Sequence, residues 1–368
     1  MFSLYKVERS MDIKYFIKLY TKQHELIDEL YVLSNISFSK TLNGIGSCTF
    51  NAPIKYLVEK EIELILNQHI ELYKIENNKE ELLWFGVVNS PCPVNEDIQC
   101  ICLGYACLFQ NRNFTDIGLN SKNEFKKDYY DKTYGSLIFS LISEINNITR
   151  TGIELGECDD SNLKTDRVIE WSDDLYEKIQ EFIEASNCYF KITKERKFNF
   201  YKNLGEDKSE YYEINDYNII GSWDYIIDQT QIANVVSARV SWEEDTVFNV
   251  LISTAIDYNS LNLYGRREKI IQVNDIRLQE TLDKQCEEIL NTYKDPLINC
   301  TVKVGISEAF NIFDIEPGDY IKLNTEKYKL NIKIKVLEYT VSLTENTVTI
   351  TLGNSIFRDN KPTIYRYK

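Results

Sequence analysis

Residues Thr41–Pro53 read TLNGIGSCTFNAP. Two glycines, Gly44 and Gly46, stand between the alternating runs NISFSK and SCTFNAP. Three structures share that outline: a phosphate-cradling loop, a turn presenting a nucleophile, and a bend between two strands. A phosphate loop needs GxxxxGKS or GxxxxGKT, and a dinucleotide turn needs a third glycine opening a helix. Here Gly46 is followed by the β-prone Ser-Cys-Thr-Phe-Asn and then by Ala52-Pro53. A Cys48 nucleophile would need a base, and no partner pattern accompanies it. The stretch therefore reads as a glycine bend feeding a strand.

Outward from that bend the texture stays β-like to about residue 115. DIKYFIKLY, SNISFSK, HIELYKI, LLWFGVV and DIQCICLGYACLF are short and rich in β-branched and aromatic residues. HIELYKIENNKEELLWFGVV predicts a hairpin turning at Asn77-Asn78. IKYLVEKEIELIL, after Pro53, allows a helical turn or more. Regular strand spacing points to a barrel or sandwich.

From about 116 to 215 the pattern becomes α+β. YGSLIFSLISEINNIT puts Leu137, Ile138, Leu141, Ile142 and Ile145 on one helical face. SDDLYEKIQEFIEASN predicts a second helix with an N-cap at Ser172, acids in its first turn, a buried stripe of Leu175, Ile179, Phe182 and Ile183, and a stop at Asn187. CYFKITKERKFNFY reads as a hairpin. From 216 to 368 strands return: ANVVSARVSW, TVFNVLIST, KIIQV, NCTVKVGI, DYIKLN, YKLNIKIKVLEYTVSLT and NTVTITLG. One helix interrupts them at about 275–293, capped by Asn274 or Asp275 and ended by Pro296. Its apolar face is Leu278, Leu282, Cys286, Ile289, Leu290 and Tyr293. EPGDY reads as a turn with Pro317 and Gly318 in the favoured order. The expectation is a mainly β protein with α+β: two β domains, 1–115 and 216–368, and an α+β domain, 116–215.

Composition narrows the function classes. The chain has 57 Asp plus Glu against 42 Lys plus Arg, a formal charge of −15. Phosphate-gripping proteins need a basic surface. Plain solubility is the simplest use of such a charge; sliding past a polyanion is another. Nine cysteines, an odd number without a CxxC pair, fit small buried hydrophobes in a reducing cytoplasm. Charges break the N-terminal segment MFSLYKVERSMDIKYFIKLY, so no signal peptide is expected. No run is long and apolar enough to span a bilayer.

The search for chemistry returns no catalytic, cofactor-binding or metal-ligating residue. His24 and His69 are the two histidines, both in strand-like surroundings without ligand spacing. No GxSxG occurs. The acidic clusters ECDDSN (Glu157–Asn162), WSDDLYE (Trp171–Glu177) and WEEDT (Trp242–Thr246) read as solvated charge, with Asp173 and Asp174 explained by a helix start. The basic YGRREK (Tyr264–Lys269), after the loop DYNSLNL, reads as a salt-bridged turn.

Four segments in order resemble the tail hub family of tailed phages and phage-tail-like contractile particles, itself related to the N-terminal part of tail-associated lysins. They are the Leu-Asn-Gly-x-Gly-Ser step, WFGVVNSP (Trp84–Pro91), ANVVSARV with YGRREK and its following helix, and IEPGDYIKL closing on VLEYTVSLTENTVTITLG (Val336–Gly353). Cys48, its Asn-rich surroundings and the merely textural match of 116–215 depart from the family pattern. The resemblance implies a non-enzymatic homotrimer with two tube-like β-barrel domains per chain. These would form a pseudo-sixfold ring joining a hexameric tail tube, or distal tail protein, to a central spike, fibre or tape-measure end. It implies a place in the virion or a phage-tail-like particle (contractile injection system or bacteriocin type) after synthesis in the host bacterial cytoplasm. DNA would pass through the lumen without specific binding, no cofactor would be held, and no stable membrane insertion would occur. The alternatives are a cell-wall or polysaccharide hydrolase at the tail tip, or a carbohydrate-binding adhesin. With so few residues after TLGNS, a fused lysin is not expected.

Overall fold

The computed structural model describes residues 14–115, 125–160, 164–221, 223–244, 247–273 and 276–354. They form two compact units, and the chain passes from one to the other inside the opening stretch, between Gly44 and Ile45.

The first unit comprises the described residues up to Ser39, then Ile45–Tyr105 and Thr340–Thr347. Its strands are β1 (Lys14–Tyr20), β2 (Leu26–Leu30), β3 (Ser34–Thr41), β4 (Ser47–Pro53), β5 (His69–Glu76), β6 (Lys79–Val94) and β7 (Asp97–Leu103), with one helix, α1 (Ile54–Glu59). They pair antiparallel in the order β3-β4-β7-β6-β5-β1-β2. Asn77 and Asn78 both take positive φ, +52° and +60°, the two-residue turn whose twist suits a hairpin. Strict alternation in SCTFNAP buries Cys48, Phe50 and Ala52 on one face and leaves their neighbours half-exposed. The helix predicted after Pro53 is confined to the six residues of α1.

The second unit comprises Lys40–Gly44, Ala106–Tyr339 and the described residues from Val348 on. It opens with β8 (Lys126–Thr133), α2 (Tyr134–Ile148), β9 (Glu154–Asp159), β10 (Lys164–Glu170), α3 (Leu175–Ser186), β11 (Tyr189–Ile192) and β12 (Lys197–Tyr201). The predicted stripe of α2 is buried at every position named for it. So is the stripe of α3, and Asn187 ends that helix in the left-handed conformation at φ +50°. The predicted cap moves: Asp174, not Ser172, stands at the N-cap, and its Oδ1 accepts from the N–H groups of Tyr176 and Glu177 at 2.9 and 3.2 Å. Its Oδ2 also accepts from the Arg112 N–H at 2.9 Å, across 62 residues of chain.

The unit continues with β13 (Glu213–Asn215), β14 (Asp224–Asp228), β15 (Val235–Glu244), β16 (Val247–Ile256), α4 (Tyr258–Tyr264), β17 (Glu268–Gln272), α5 (Gln279–Tyr293), β18 (Leu297–Gly305), β19 (Tyr320–Thr325), β20 (Leu330–Ser342) and β21 (Thr347–Gly353). DYNSLNL, expected to be a loop, is the helix α4. Asp257 caps it by accepting from the Ser260 N–H at 2.8 Å. The residues proposed to cap α5, Asn274 and Asp275, lie outside the described residues; α5 itself starts at Gln279 without a side-chain cap bond. β15 lies between β16 and β17, and α5 covers one face of that sheet through Leu282, Cys286 and Leu290. β14, β18, β21 and β20 pair in that order, with β19 on β20 and β13 on β19.

The protein is mainly β with an α+β segment, as the sequence predicts. Among the described residues no pairing of first and last strands closes either set into a barrel.

Candidate functional site

The four segments that carry the family resemblance each hold a close backbone approach or a buried polar tie. In the first unit Gly46 lies against Ser39: a Cβ at position 46 would stand 2.4 Å from the Ser39 carbonyl oxygen. That oxygen accepts from the indole N–H of Trp84, the first residue of WFGVVNSP, at 3.0 Å. Two of the four segments thus meet at one carbonyl.

In the second unit Asn43, from the same bend, is buried at φ +53°. Its side-chain amide donates to the Cys188 carbonyl at 3.1 Å and accepts from the Phe190 N–H at 2.8 Å. Gln180 of α3 donates to its backbone carbonyl at 2.8 Å. The third segment is tied in the same way. The Asn234 side chain, fully buried, donates to the Gly265 carbonyl at 2.7 Å and accepts from the Arg267 N–H at 2.8 Å. YGRREK is therefore the turn the sequence suggests, with Arg266 paired to Glu268.

The fourth segment holds the densest network. Pro317-Gly318 turns the chain, with Gly318 at φ +108° and the Asp319 N–H bonded to the Glu316 carbonyl at 3.0 Å. Asp319, 2% exposed, accepts from the Glu206 N–H at 2.8 Å, the Glu316 N–H at 2.9 Å and the Lys208 ammonium at 2.8 Å. Glu316 pairs with Lys40 at 2.7 Å and Lys191 at 3.3 Å. Burial pushes the Glu316 carboxyl up, but the two lysines outweigh it and hold it below its ordinary value.

A depressed carboxylate stabilises above its unfolded pKa of about 4.3, and the contribution is lost as pH falls through the folded value. Glu316→Gln is expected to cost about 1 kcal/mol at neutral pH, because its 38% side-chain exposure leaves the pairs partly screened. Urea unfolding should show the difference shrinking as pH is lowered through the acid range. A difference that persists undiminished in acid would exclude the electrostatic origin.

The residues weighed for catalysis are placed as follows. Cys48 is fully buried opposite Cys102, and burial pushes both thiols up, away from the reactive thiolate. His24 sits in a turn at φ +68°, not in a strand, and its ring lies 5.0 Å from that of His69. The two lack any ligand spacing in sequence; the register of β1 on β5, Tyr20 opposite His69, brings them together. His69 meets the Tyr105 hydroxyl at 3.2 Å. No group of three or more His, Cys, Asp and Glu is arranged for a metal among the described residues. Asp173 accepts from the Glu170 N–H at 2.8 Å before α3. Ser161, Asn162, Asp245 and Thr246 lie outside the described residues. None of the described helices is long and apolar enough to cross a membrane.

Sequence reasoning missed Glu71, fully buried between the hydroxyls of Tyr20 and Tyr73 at 2.8 and 2.7 Å. Its only signal was an acid set among the apolar residues Ile70, Leu72 and Tyr73 of β5.

Residues 208–358 match the family model described as "Prophage endopeptidase tail". No curated protein sequence matches the chain. Among solved structures, the fold is similar to the tail protein from Neisseria meningitidis MC58, at 12% identity and TM-score 0.61, over 93% of this chain and 97% of that one. It is similar to the prophage tail protein gp18 from Listeria monocytogenes EGD-e, at 14% identity and TM-score 0.57, over 92% and 94%. It is also similar to a chain of the Francisella PdpA-VgrG complex, at 11% identity and TM-score 0.51, over 98% of this chain and 60% of that one. The fold is that of phage tail proteins, as the four segments suggest.

Proposed function

We propose that this chain is a structural hub at the distal end of a phage tail or phage-tail-like particle. The observation that carries the reading is the likeness of fold to the Neisseria tail protein over more than nine-tenths of both chains. The family match over 208–358 supports it from sequence. In this reading the chain is virion-associated and acts as a homotrimer. Residues 1–115 and 216–368 serve as two tube-like domains and 116–215 as an inserted α+β domain. Three chains would then present six similar domains to a hexameric tube and hold a spike, fibre or tape-measure end at the centre. A closed ring of this kind removes open strand edges. The formal charge of −15 would let DNA pass without adhering.

The protein acts without catalysis in this reading. Asp174 is occupied in capping a helix, and Asn234 and Asp319 in tying loops to strands. A second reading, a hydrolase at the tail tip, takes its support from the word endopeptidase in the matching family's description.

Light scattering after size exclusion, followed by negative-stain imaging, separates the two. The expected result is a particle of three 43.2 kDa chains with a central hole, formed by the chain alone or on its tube protein. A monomer under both conditions overturns the hub, and cleavage of purified peptidoglycan by the chain would establish the hydrolase.

A further inference from the structure

We infer that the open face of the β16-β15-β17 sheet pairs with the same face of a second copy, strands reversed, while the chain is free of its particle. This pairing goes beyond the hub reading and does not depend on it.

The sheet has one covered face and one open face. Val236, Ala238 and Val240 of β15 are buried on the side that α5 covers. The alternate residues Arg239, Ser241 and Glu243 lie on the other side and are exposed. Register fixes their neighbours on β16: Ile252 stands opposite Arg239, Val250 opposite Ser241 and Phe248 opposite Glu243. Ile252 is 64% exposed, Val250 40% and Phe248 66%. Ser237 and Thr254, joined through their hydroxyls at 3.1 Å, follow at one end of the face. Single apolar residues on a surface are ordinary, but a continuous apolar stripe marks a contact or an aggregation hazard.

The charges beside the stripe specify what covers it. Arg239 and Glu243 share the face, four residues or about 13 Å apart along β15. Neither makes an ion pair among the described residues. An acidic partner would suit Arg239 and oppose Glu243, and a basic partner would do the reverse. A second copy, laid face to face and reversed, suits both. With the twofold axis over the row of Ser241 and Val250, Arg239 of each copy falls on the partner's Glu243. The same reversal sets Ile252 against the partner's Phe248, and Val250 against the partner's Val250. Charged rows and apolar rows therefore match in one register. Stacked sheets keep their strands within about 30° of one another, which a reversed pair allows. A twofold contact needs a surface complementary to itself, and this face has that property.

Analytical ultracentrifugation of the full chain at about 1–100 µM tests the pairing. The expected result is a reversible equilibrium between one and two 43.2 kDa chains. Arg239→Glu and Glu243→Arg each set like charges against one another at two places. Each is expected to weaken pairing more than about tenfold. Combining Arg239→Glu with Glu243→Arg restores opposite charges, and pairing should return to within about threefold of wild type. That recovery also excludes misfolding as the cause of the single losses. A wild-type chain monomeric at every concentration overturns the proposal. So do single variants that pair as wild type does, or a double variant that fails to recover. A trimer formed by the chain alone and indifferent to these substitutions overturns the pairing and leaves the hub reading standing. A monomeric chain that binds its tube protein less tightly with Arg239→Glu gives the face to that protein and also overturns the pairing.

Discussion

Asp319→Ala is expected to destabilise the second unit by about 4 kcal/mol, the largest loss predicted for a single polar side chain in this molecule. The carboxylate is 2% exposed and serves three donors, two of them backbone N–H groups that precede it by 113 and by 3 residues. Removing it strands the Glu206 and Glu316 N–H groups, each costing about 1–3 kcal/mol when buried without an acceptor. It also leaves the Lys208 ammonium, 21% exposed, without its closest carboxylate. These losses share one site, so they do not add in full. Asp319→Asn keeps the shape and one acceptor oxygen but turns an N–H₂ toward a donor; about half the loss is expected. Urea unfolding of the three proteins at neutral pH measures both steps. An Ala variant within about 0.5 kcal/mol of wild type would mean that water replaces the carboxylate at no cost, and the network would not be what holds this turn.

What the sequence made legible follows from the range of the interaction behind each feature. The stripes of α2 and α3 were readable because a helix face repeats every three to four residues, and both stripes are buried where predicted. The Asn77-Asn78 turn was readable because only two adjacent residues set it. α4 was not, since DYNSLNL has no apolar stripe and buries only Ser260; its cap at Asp257 was the available signal. Ser172, Asp173 and Asp174 are all good caps locally. The choice fell to Asp174 through the Arg112 N–H, an interaction spanning 62 residues. The Pro317-Gly318 turn was legible and the role of Asp319 was not, because Glu206 lies 113 residues away. Gln285 looks from sequence like an ordinary polar position of α5, and only the tertiary arrangement of α3, β10 and β17 around it makes it a buried one.

The glycine bend itself gives the second large effect, and its two glycines should behave differently. Gly46→Ala is expected to cost about 3 kcal/mol, in the range for forcing a methyl into a packed site and disturbing a buried hydrogen bond. The new Cβ would stand 2.4 Å from the Ser39 carbonyl oxygen and 3.4 Å from the Trp84 indole nitrogen. Both are pinned: the carbonyl accepts the indole N–H at 3.0 Å, and Trp84 is 3% exposed. Backbone must therefore move, because no flexible side-chain end is available to give way. Gly44→Ala meets the Thr41 Cγ2 at 2.7 Å and its Cβ at 3.1 Å, side-chain atoms alone at close range. A side chain of 41 can shift where the backbone of 39 cannot, and a loss below about 1 kcal/mol is expected there. Urea unfolding gives the stabilities, and tryptophan fluorescence should change with Gly46→Ala but not with Gly44→Ala, since only the former touches the indole. Equal losses at the two positions would contradict the close approach at Ser39 and return the bend to a simple need for backbone freedom. The contrast also bears on why Gly-x-Gly is spaced as it is: the second glycine keeps a strand crossing tight against Trp84, and the first needs only a turn.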